Sequence, residues 1–209
     1  SAASDVYKRQ VIKVGINQSS KGLRIVGQII HPQEWNSSID YENKKVAVIG
    51  SGATAVTLIP EIAKKASHVT MIQRSPTYIA SAPSKYKILH LLNYISPKLG
   101  YKIIRFTNIL RQRRIYRRAM RSPELVKNYL LDLVRDELPG FDIEKHFTPT
   151  YNPWEQRLCL APDSDFFESI NQKRVSVETE TIDSFSEKGV RLDSGKLIEA
   201  DIIVTATGI

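Results

Sequence analysis

The sequence predicts an α/β fold built on a parallel sheet, and three stretches carry that expectation. "KVAVIG" (Lys45–Gly50) is a short Val- and Ile-rich run ending in glycine, the pattern of a strand buried on both faces. "ATAVTLIPEIAKKA" follows with apolar residues at helical spacing, Val56, Ile59 and Ile62. "HVTMIQR" (His68–Arg74) then reads as a second strand. Strand, glycine turn, helix and strand make a βαβ unit, whose crossover is right-handed in nearly every case.

The other elements follow in order. The opening "SAASDVYKRQ" does not match the rest: "DVYKRQ" resembles the translation of a transposon-end sequence used to prepare sequencing libraries. Residues 1–10 are therefore expected to be an artefact and are set aside. Residues 11–44 read as irregular chain with short apolar stretches such as "LRIVGQII". Pro60 is expected to bend the first helix or loosen a turn. "SPTYIASAPSK" breaks the pattern with two prolines, and helices are then expected in "ILHLLNYI", "YKIIRFTNILRQRRIYRRAM" and "ELVKNYLLDLVRDEL". The last has Ser122 as N-cap and Pro123 at its first position, with Leu125, Tyr129, Leu130 and Leu133 as its apolar face. These helices make an insertion over about residues 84–150 into a domain spanning 45–209. "PGFDIEKHFTPTYNPW" reads as loop, and a short helix is expected from Phe166 to Ile170. "VSVETE" is a strand, and turns at Lys188–Gly189 and Ser194–Gly195 suggest a small meander before the core strand in "ADIIVTATGI". That strand and its glycine stop abruptly at residue 209, so a piece of a longer protein is expected.

Composition narrows the class. With 42% hydrophobic and 25% charged residues, the chain has the balance of a soluble globular protein. No apolar run is long enough to cross a membrane, and no signal peptide is visible. One cysteine, Cys159, excludes an internal disulfide or a CxxC redox pair and fits a reducing, cytoplasmic setting. The net charge of +8 is unevenly placed: from Ile62 to Pro123 there are 14 Lys and Arg and no Asp or Glu. Such a stretch suits a phosphate-bearing or anionic lipid partner, or is a solvated helical face.

"GSGATA" (Gly50–Ala55) is a GxGxxA string between a predicted strand and a predicted helix, the context that makes it a dinucleotide-binding turn. Gly50 permits the tight turn, Gly52 lets a pyrophosphate approach the backbone, and Ala55 keeps helix close to strand. The helix start, through Ser51, Ala53 and Thr54, offers N–H groups to the phosphates. The fold class is thus a Rossmann-like domain with a helical insertion. An NAD site usually has a carboxylate about 20 residues after the motif. Here the second strand ends "QRSPT", placing Arg74, with Ser75, 24 residues after Gly50. A guanidinium suits a 2′-phosphate, so NADPH is favoured over NADH, and over FAD at this site. Lys64 and Lys65 either assist or decorate the helix surface.

"GQIIHPQEW", "VAVIGSGATAV", "HVTMIQRSPTY", "YNPWEQRLCLAPDSDFF" and "ADIIVTATG", in this order, resemble the flavin-containing Baeyer–Villiger monooxygenases, in the subgroup of ethionamide-activating enzymes. The family string Phe-x-Gly-x-x-x-His-x-x-x-Trp-Pro is matched by Gly27, His31 and Trp35, with Ile25 in the Phe place and Asn36 in the Pro place. The resemblance implies a fragment of a flavoprotein with two dinucleotide-binding domains, residues 11–44 being linker and remnant of the FAD domain. It also implies the reaction: NADPH reduces FAD, and the reduced flavin uses dioxygen to insert one oxygen atom into a ketone, or to oxidise sulfur or nitrogen. Matched residue by residue, Arg157 is the cation beside the flavin peroxide, and His31 couples NADPH binding to domain movement. Gln156 stands where Lys is usual on the 2′-phosphate, and Thr207 and Gly208 complete the cofactor set. Trp154 either lines the substrate side or buries its ring.

The rival within the same architecture is a pyridine-nucleotide-dependent flavoprotein reductase. A disulfide reductase needs a cysteine pair, and ferredoxin-type reductases lack the His–Trp string. No metal site and no nucleic-acid partner are expected, since "RQRRIYRRAMR" comes without a stacking platform. A peripheral membrane contact through that helix is the secondary expectation. By itself the chain is expected to hold NADPH at best, not to hold FAD stably, and to oxygenate nothing.

Overall fold

The computed structural model describes residues 28–36, 38–82 and 97–207. Its main sheet has five strands, in spatial order β1 (Gln28–Ile30), β10 (Ile202–Thr205), β2 (Lys45–Ile49), β3 (His68–Gln73) and β6 (Val175–Thr179). All four pairings are parallel. Strand alternation explains why both faces are apolar. Val46, Val48, Val69, Met71 and Val204 pack with Val56 and Ile59 of α1 (Ala53–Ile62) and Phe166 and Phe167 of α5 (Asp165–Asn171). Ala47, Ile72 and Ile203 lie in a second cluster with Val190, Leu192 and Ile198. Those residues belong to an antiparallel meander of β7 (Ile182–Ser186), β8 (Gly189–Leu192) and β9 (Leu197–Glu199). The expected parallel sheet, first helix, meander and final core strand are all present, and α1 runs through Pro60, which is buried in its last turn.

Four local expectations need correction. The stretch expected to be wholly irregular contributes β1, whose Gln28–Ile30 pairs with Ile202–Val204. Three residues are too few for periodicity, and only the partner strand makes them a strand. The interruption "SPTYIASAPSK" holds β4 (Tyr78–Ala82), paired in parallel with β5 (Leu158–Pro162). The supposed loop before Trp154 contains α4 (Ile143–Phe147), started by the Asp142 carboxylate, which accepts from the Lys145 backbone N–H at 3.1 Å. Finally, α3 (Pro123–Glu137) buries Val126, Leu130, Leu131 and Val134, while Leu125 and Tyr129 are 52% and 60% exposed. Apolar residues surround most of this helix, so its inward face is chosen by what it meets, Tyr78 and Ala80 of β4. Ser122 is its N-cap by position but makes no side-chain capping bond.

The chain leaves the main sheet through β4, builds α2 (Pro97–Arg121), α3 and α4, and returns through β5. The helix expected in "ILHLLNYI" lies outside the described residues. A buried polar knot ties this excursion to the sheet: Gln73 Nε2 donates to the His146 carbonyl at 2.7 Å and to Thr179 Oγ1 at 2.8 Å. His146 Nδ1 lies 2.9 Å from the same hydroxyl. Burial, aided by Lys145, holds the His146 imidazole below its ordinary pKa. The unfolded chain then takes up this proton at higher pH than the folded one. Stability is whole above the ordinary histidine value and is lost as pH falls through it towards the folded value. Between about pH 7.5 and about pH 5.5 the thermal midpoint of His146→Gln should fall less than that of the parent. Equal falls would show that other groups carry the acid sensitivity.

Candidate dinucleotide site

Because β1, β10, β2 and β3 run parallel and in register, their carboxyl ends share one edge: Ile30 faces Val204, Thr205 faces Ile49, and Ile49 faces Ile72. Whatever follows each strand is collected there. His31 follows β1, Ala206 and Thr207 follow β10, Gly50 to Gly52 follow β2, and Arg74 and Ser75 follow β3. That edge is where open parallel sheets bind ligands.

Gly50 has φ +125°, and a Cβ on it would stand 2.6 Å from the Ala206 carbonyl oxygen and 3.2 Å from the Thr207 nitrogen. The turn after β2 and the loop after β10 are therefore in backbone contact, which only glycine allows. Ser51 is braced on both sides: its hydroxyl is 3.0 Å from that of Thr77, and its carbonyl accepts from the Cys159 thiol at 3.7 Å. Burial pushes the Cys159 thiol pKa up, so it stays protonated as a weak donor. Gly52 is the N-cap of α1, with Ala53 and Thr54 exposed in the first turn and Ala55 fully buried against the core. The first N–H groups of such a helix have no intrahelical carbonyl and carry the positive end of its dipole.

Arg157 comes to this turn from the far side of the excursion. A Cβ at residue 52 would be 2.9 Å from its Nη1. The guanidinium thus lies over the glycine that a pyrophosphate must approach. Its loop is held by its own contacts. Glu155 accepts from the Asn152 backbone N–H at 2.8 Å and from Asn152 Nδ2 at 2.9 Å. Those bonds hold the Glu155 carboxyl below the usual carboxylate range, and they occupy both its oxygens. Trp154, with φ +73°, is 37% exposed and meets Tyr116 of α2 edge to face at 6.3 Å. Gln156 is exposed in the same loop.

Arg74 and Ser75 are exposed just past β3. Lys64 instead pairs with Glu61 at 2.6 Å on the surface of the chain after α1. His31 caps the 3₁₀ turn Pro32–Glu34, its Nδ1 accepting from the Gln33 N–H at 3.3 Å. Trp35 packs on Tyr41 at 5.4 Å and against the main core. Ile25, Gly27 and Gly208 lie outside the described residues. The structure therefore gathers His31, Gly50, Ser51, Gly52, Ala53, Thr54, Ala55, Arg74, Ser75 and Thr207 along one edge, with the Arg157 loop beside them. Thr77, Tyr78, Tyr151 and Glu155 were not singled out from sequence. Nothing in their spacing signals contacts that depend on β4 pairing with β5.

A parallel sheet with a GxGxxA turn at its carboxyl edge defines a Rossmann-like unit, and the Arg157 Nη1 lies 2.9 Å from where a Cβ at residue 52 would stand. By sequence the chain is similar to the FAD-containing monooxygenases. It is 49% identical over 187 residues to the FAD-containing monooxygenase EthA of Mycobacterium tuberculosis, covering 88% of this chain and 38% of that protein. It is 50% identical over 185 residues to the probable FAD-binding monooxygenase AlmA of Acinetobacter baylyi, covering 88% and 37%. The chain thus spans little more than a third of these curated relatives. Solved structures share its fold. A steroid monooxygenase bound to NADP matches with TM-score 0.69 and 18% identity over 92% of this chain and 45% of that one. An open structure of cyclohexanone monooxygenase matches with TM-score 0.65 and 19% identity over 90% and 45%. No family model matches the chain. The likeness to FAD-containing monooxygenases rests on the two sequence relatives, and the solved structures show a shared fold.

Replacing Gly50 by Ala sets its Cβ into the Ala206 carbonyl at a left-handed φ. The variant should lose on the order of 2–3 kcal/mol in thermal denaturation and bind NADP⁺ more weakly in titration. Parent-like stability would mean that the two loops are not in contact.

Proposed function

We propose that the protein carrying this chain is an FAD- and NADPH-dependent monooxygenase that places one oxygen atom of dioxygen into a ketone, or onto sulfur or nitrogen. This chain supplies its NADPH-binding part, residues 45–209, with the helical excursion as an insertion. The observation that carries the proposal is the Arg157 guanidinium lying over Gly52 of the phosphate turn, in a chain half identical to FAD-containing monooxygenases. FAD would supply the redox and oxygen chemistry. The residues here bind and orient the nucleotide. The N–H groups at the start of α1 take the pyrophosphate beside Gly52 and the Arg157 guanidinium, with Thr207 closing the turn from β10. Arg74 and Ser75 take the 2′-phosphate, and Gln156 is exposed in the Arg157 loop. Arg157 keeps a permanent positive charge where negative charge gathers during the reaction. His31 joins β1 to the 3₁₀ turn at the same edge, the place for a linker residue that couples nucleotide binding to domain movement.

In the full-length protein, Arg74→Ala should raise KM for NADPH by about ten- to a hundredfold, the worth of a charge-assisted contact, and leave NADH use nearly unchanged. Arg157→Ala should still reduce flavin with NADPH yet form no ester from a ketone such as phenylacetone. Equal use of NADH and NADPH by the parent, or normal ester formation by Arg157→Ala, would overturn these roles.

A second reading concerns location. No helix among the described residues is long and apolar enough to cross a membrane. Yet α2 carries nine Lys and Arg and no acid, and exposes Phe106, Ile109, Tyr116 and Met120 at helical spacing. Cations beside exposed aromatic and aliphatic side chains suit the surface of an anionic bilayer. The full-length protein should co-sediment with phosphatidylglycerol vesicles at low salt and be released at high salt. Absence of binding at low salt would end this reading.

A further inference from the structure

We infer that Thr77 and Tyr78 form a two-residue clamp that sets the phosphate turn and the Arg157 loop at a fixed separation. The inference rests on the dinucleotide reading above and assigns these two residues a positioning role in it. They lie where the chain passes from the end of β3 into β4, and both are buried, at 8% and 2% exposure. Consecutive residues in extended chain point to opposite sides. Thr77 reaches the phosphate turn, with its hydroxyl 3.0 Å from that of Ser51. Tyr78 reaches the other way, donating its phenolic O–H to the Tyr151 carbonyl at 2.7 Å and meeting the Tyr151 ring edge to face at 5.4 Å.

Tyr151 opens the loop that ends in Arg157, and its own hydroxyl lies 3.5 Å from the Arg157 carbonyl. The strand pairing carries the same geometry one step further: Tyr78 is in register with Leu158, and Ile79 with Cys159, whose thiol meets the Ser51 carbonyl. Ser51 is thus held both from the chain just ahead of β4 and from β5. Arg157, immediately ahead of β5, is carried to Gly52 by that pairing. A short run of chain fixes two halves of one site that are more than 100 residues apart in sequence. Pre-set separation of this kind saves the ordering cost that the nucleotide would otherwise meet on binding.

The two arms predict different defects. In the full-length protein, Thr77→Val keeps the side-chain shape and removes the bond to Ser51. Its Kd for NADP⁺ and its KM for NADPH should rise about three- to tenfold, the range of one neutral hydrogen bond, at an unchanged Tm. Thr77→Ser should restore the parent values. Tyr78→Phe keeps the ring and removes the bond to the Tyr151 carbonyl, so it should lower the yield of oxygenated product per NADPH consumed more than it weakens NADP⁺. Parent-like NADP⁺ affinity in Thr77→Val overturns the inference. So does a loss of Tm with no change in affinity, a failure of Thr77→Ser to rescue, or an unchanged product yield in Tyr78→Phe. If the parent protein itself binds no NADP⁺, the dinucleotide reading fails instead, and the two failures are told apart by that control.

Discussion

The backbone contact between Gly50 and Ala206 is the constraint on which the rest of the edge depends. Two parallel strands that are neighbours in the sheet, β2 and β10, end side by side, and the chain after each must turn away without colliding. The collision is avoided because residue 50 has no side chain and adopts φ +125°. With the turn pressed against Ala206 and Thr207, α1 starts at Ala53, with Gly52 as its N-cap. A side chain at residue 50 would displace the turn, the helix start, or both. The sheet's parallel register then fixes the remaining neighbours, because His31, Arg74 and Thr207 each follow a strand aligned with β2.

The second organising feature is the β4–β5 pair. It closes the neck of a long excursion, with one face on the main core through Ile79, Cys159 and Ala161, and the other on α2 and α3 through Tyr78 and Ala80. Tyr78, Ile79 and Ala80 of β4 are buried on both faces, so this strand cannot slip by one residue without moving apolar side chains to the wrong side. The loop that ends in Arg157 inherits that rigidity, and the Asn152–Glu155 bonds tighten it further. The result is a guanidinium delivered from a distant part of the chain to a phosphate turn. Burial supports the arrangement chemically. The Tyr78 phenol is pushed up to about 12, chiefly by desolvation, so it remains a donor to the Tyr151 carbonyl throughout the neutral range.

The uneven charge takes on a structural meaning here. Arg74 and Arg157 stand at the carboxyl edge, with no carboxylate paired to either among the described residues. The cations of α2 lie on a separate helix in the excursion, so the basic stretch serves two surfaces. Among the described residues the edge combines a glycine turn with a helix start, an arrangement that suits a phosphate by shape as well as charge.

The sequence by itself determined the parallel sheet, the phosphate turn, the meander and the arginine at the end of β3. Each is written in local pattern: apolar runs of strand length, glycines at fixed offsets, a cation where a carboxylate usually stands. Tertiary structure decided what local pattern leaves degenerate. β1 is a strand because β10 offers it a partner, and Gln28–Ile30 alone carries no periodicity. The inward face of α3 is Val126 and Leu130 against β4, with Leu131 and Val134 in the main core, although Leu125 and Tyr129 are as apolar. The bracing of Ser51 by Cys159, and the seat of Arg157 over Gly52, join residues separated by an entire helical excursion. Spacing within a sequence encodes neighbours along one element, while proximity across that distance is set by which strands pair and how the core packs.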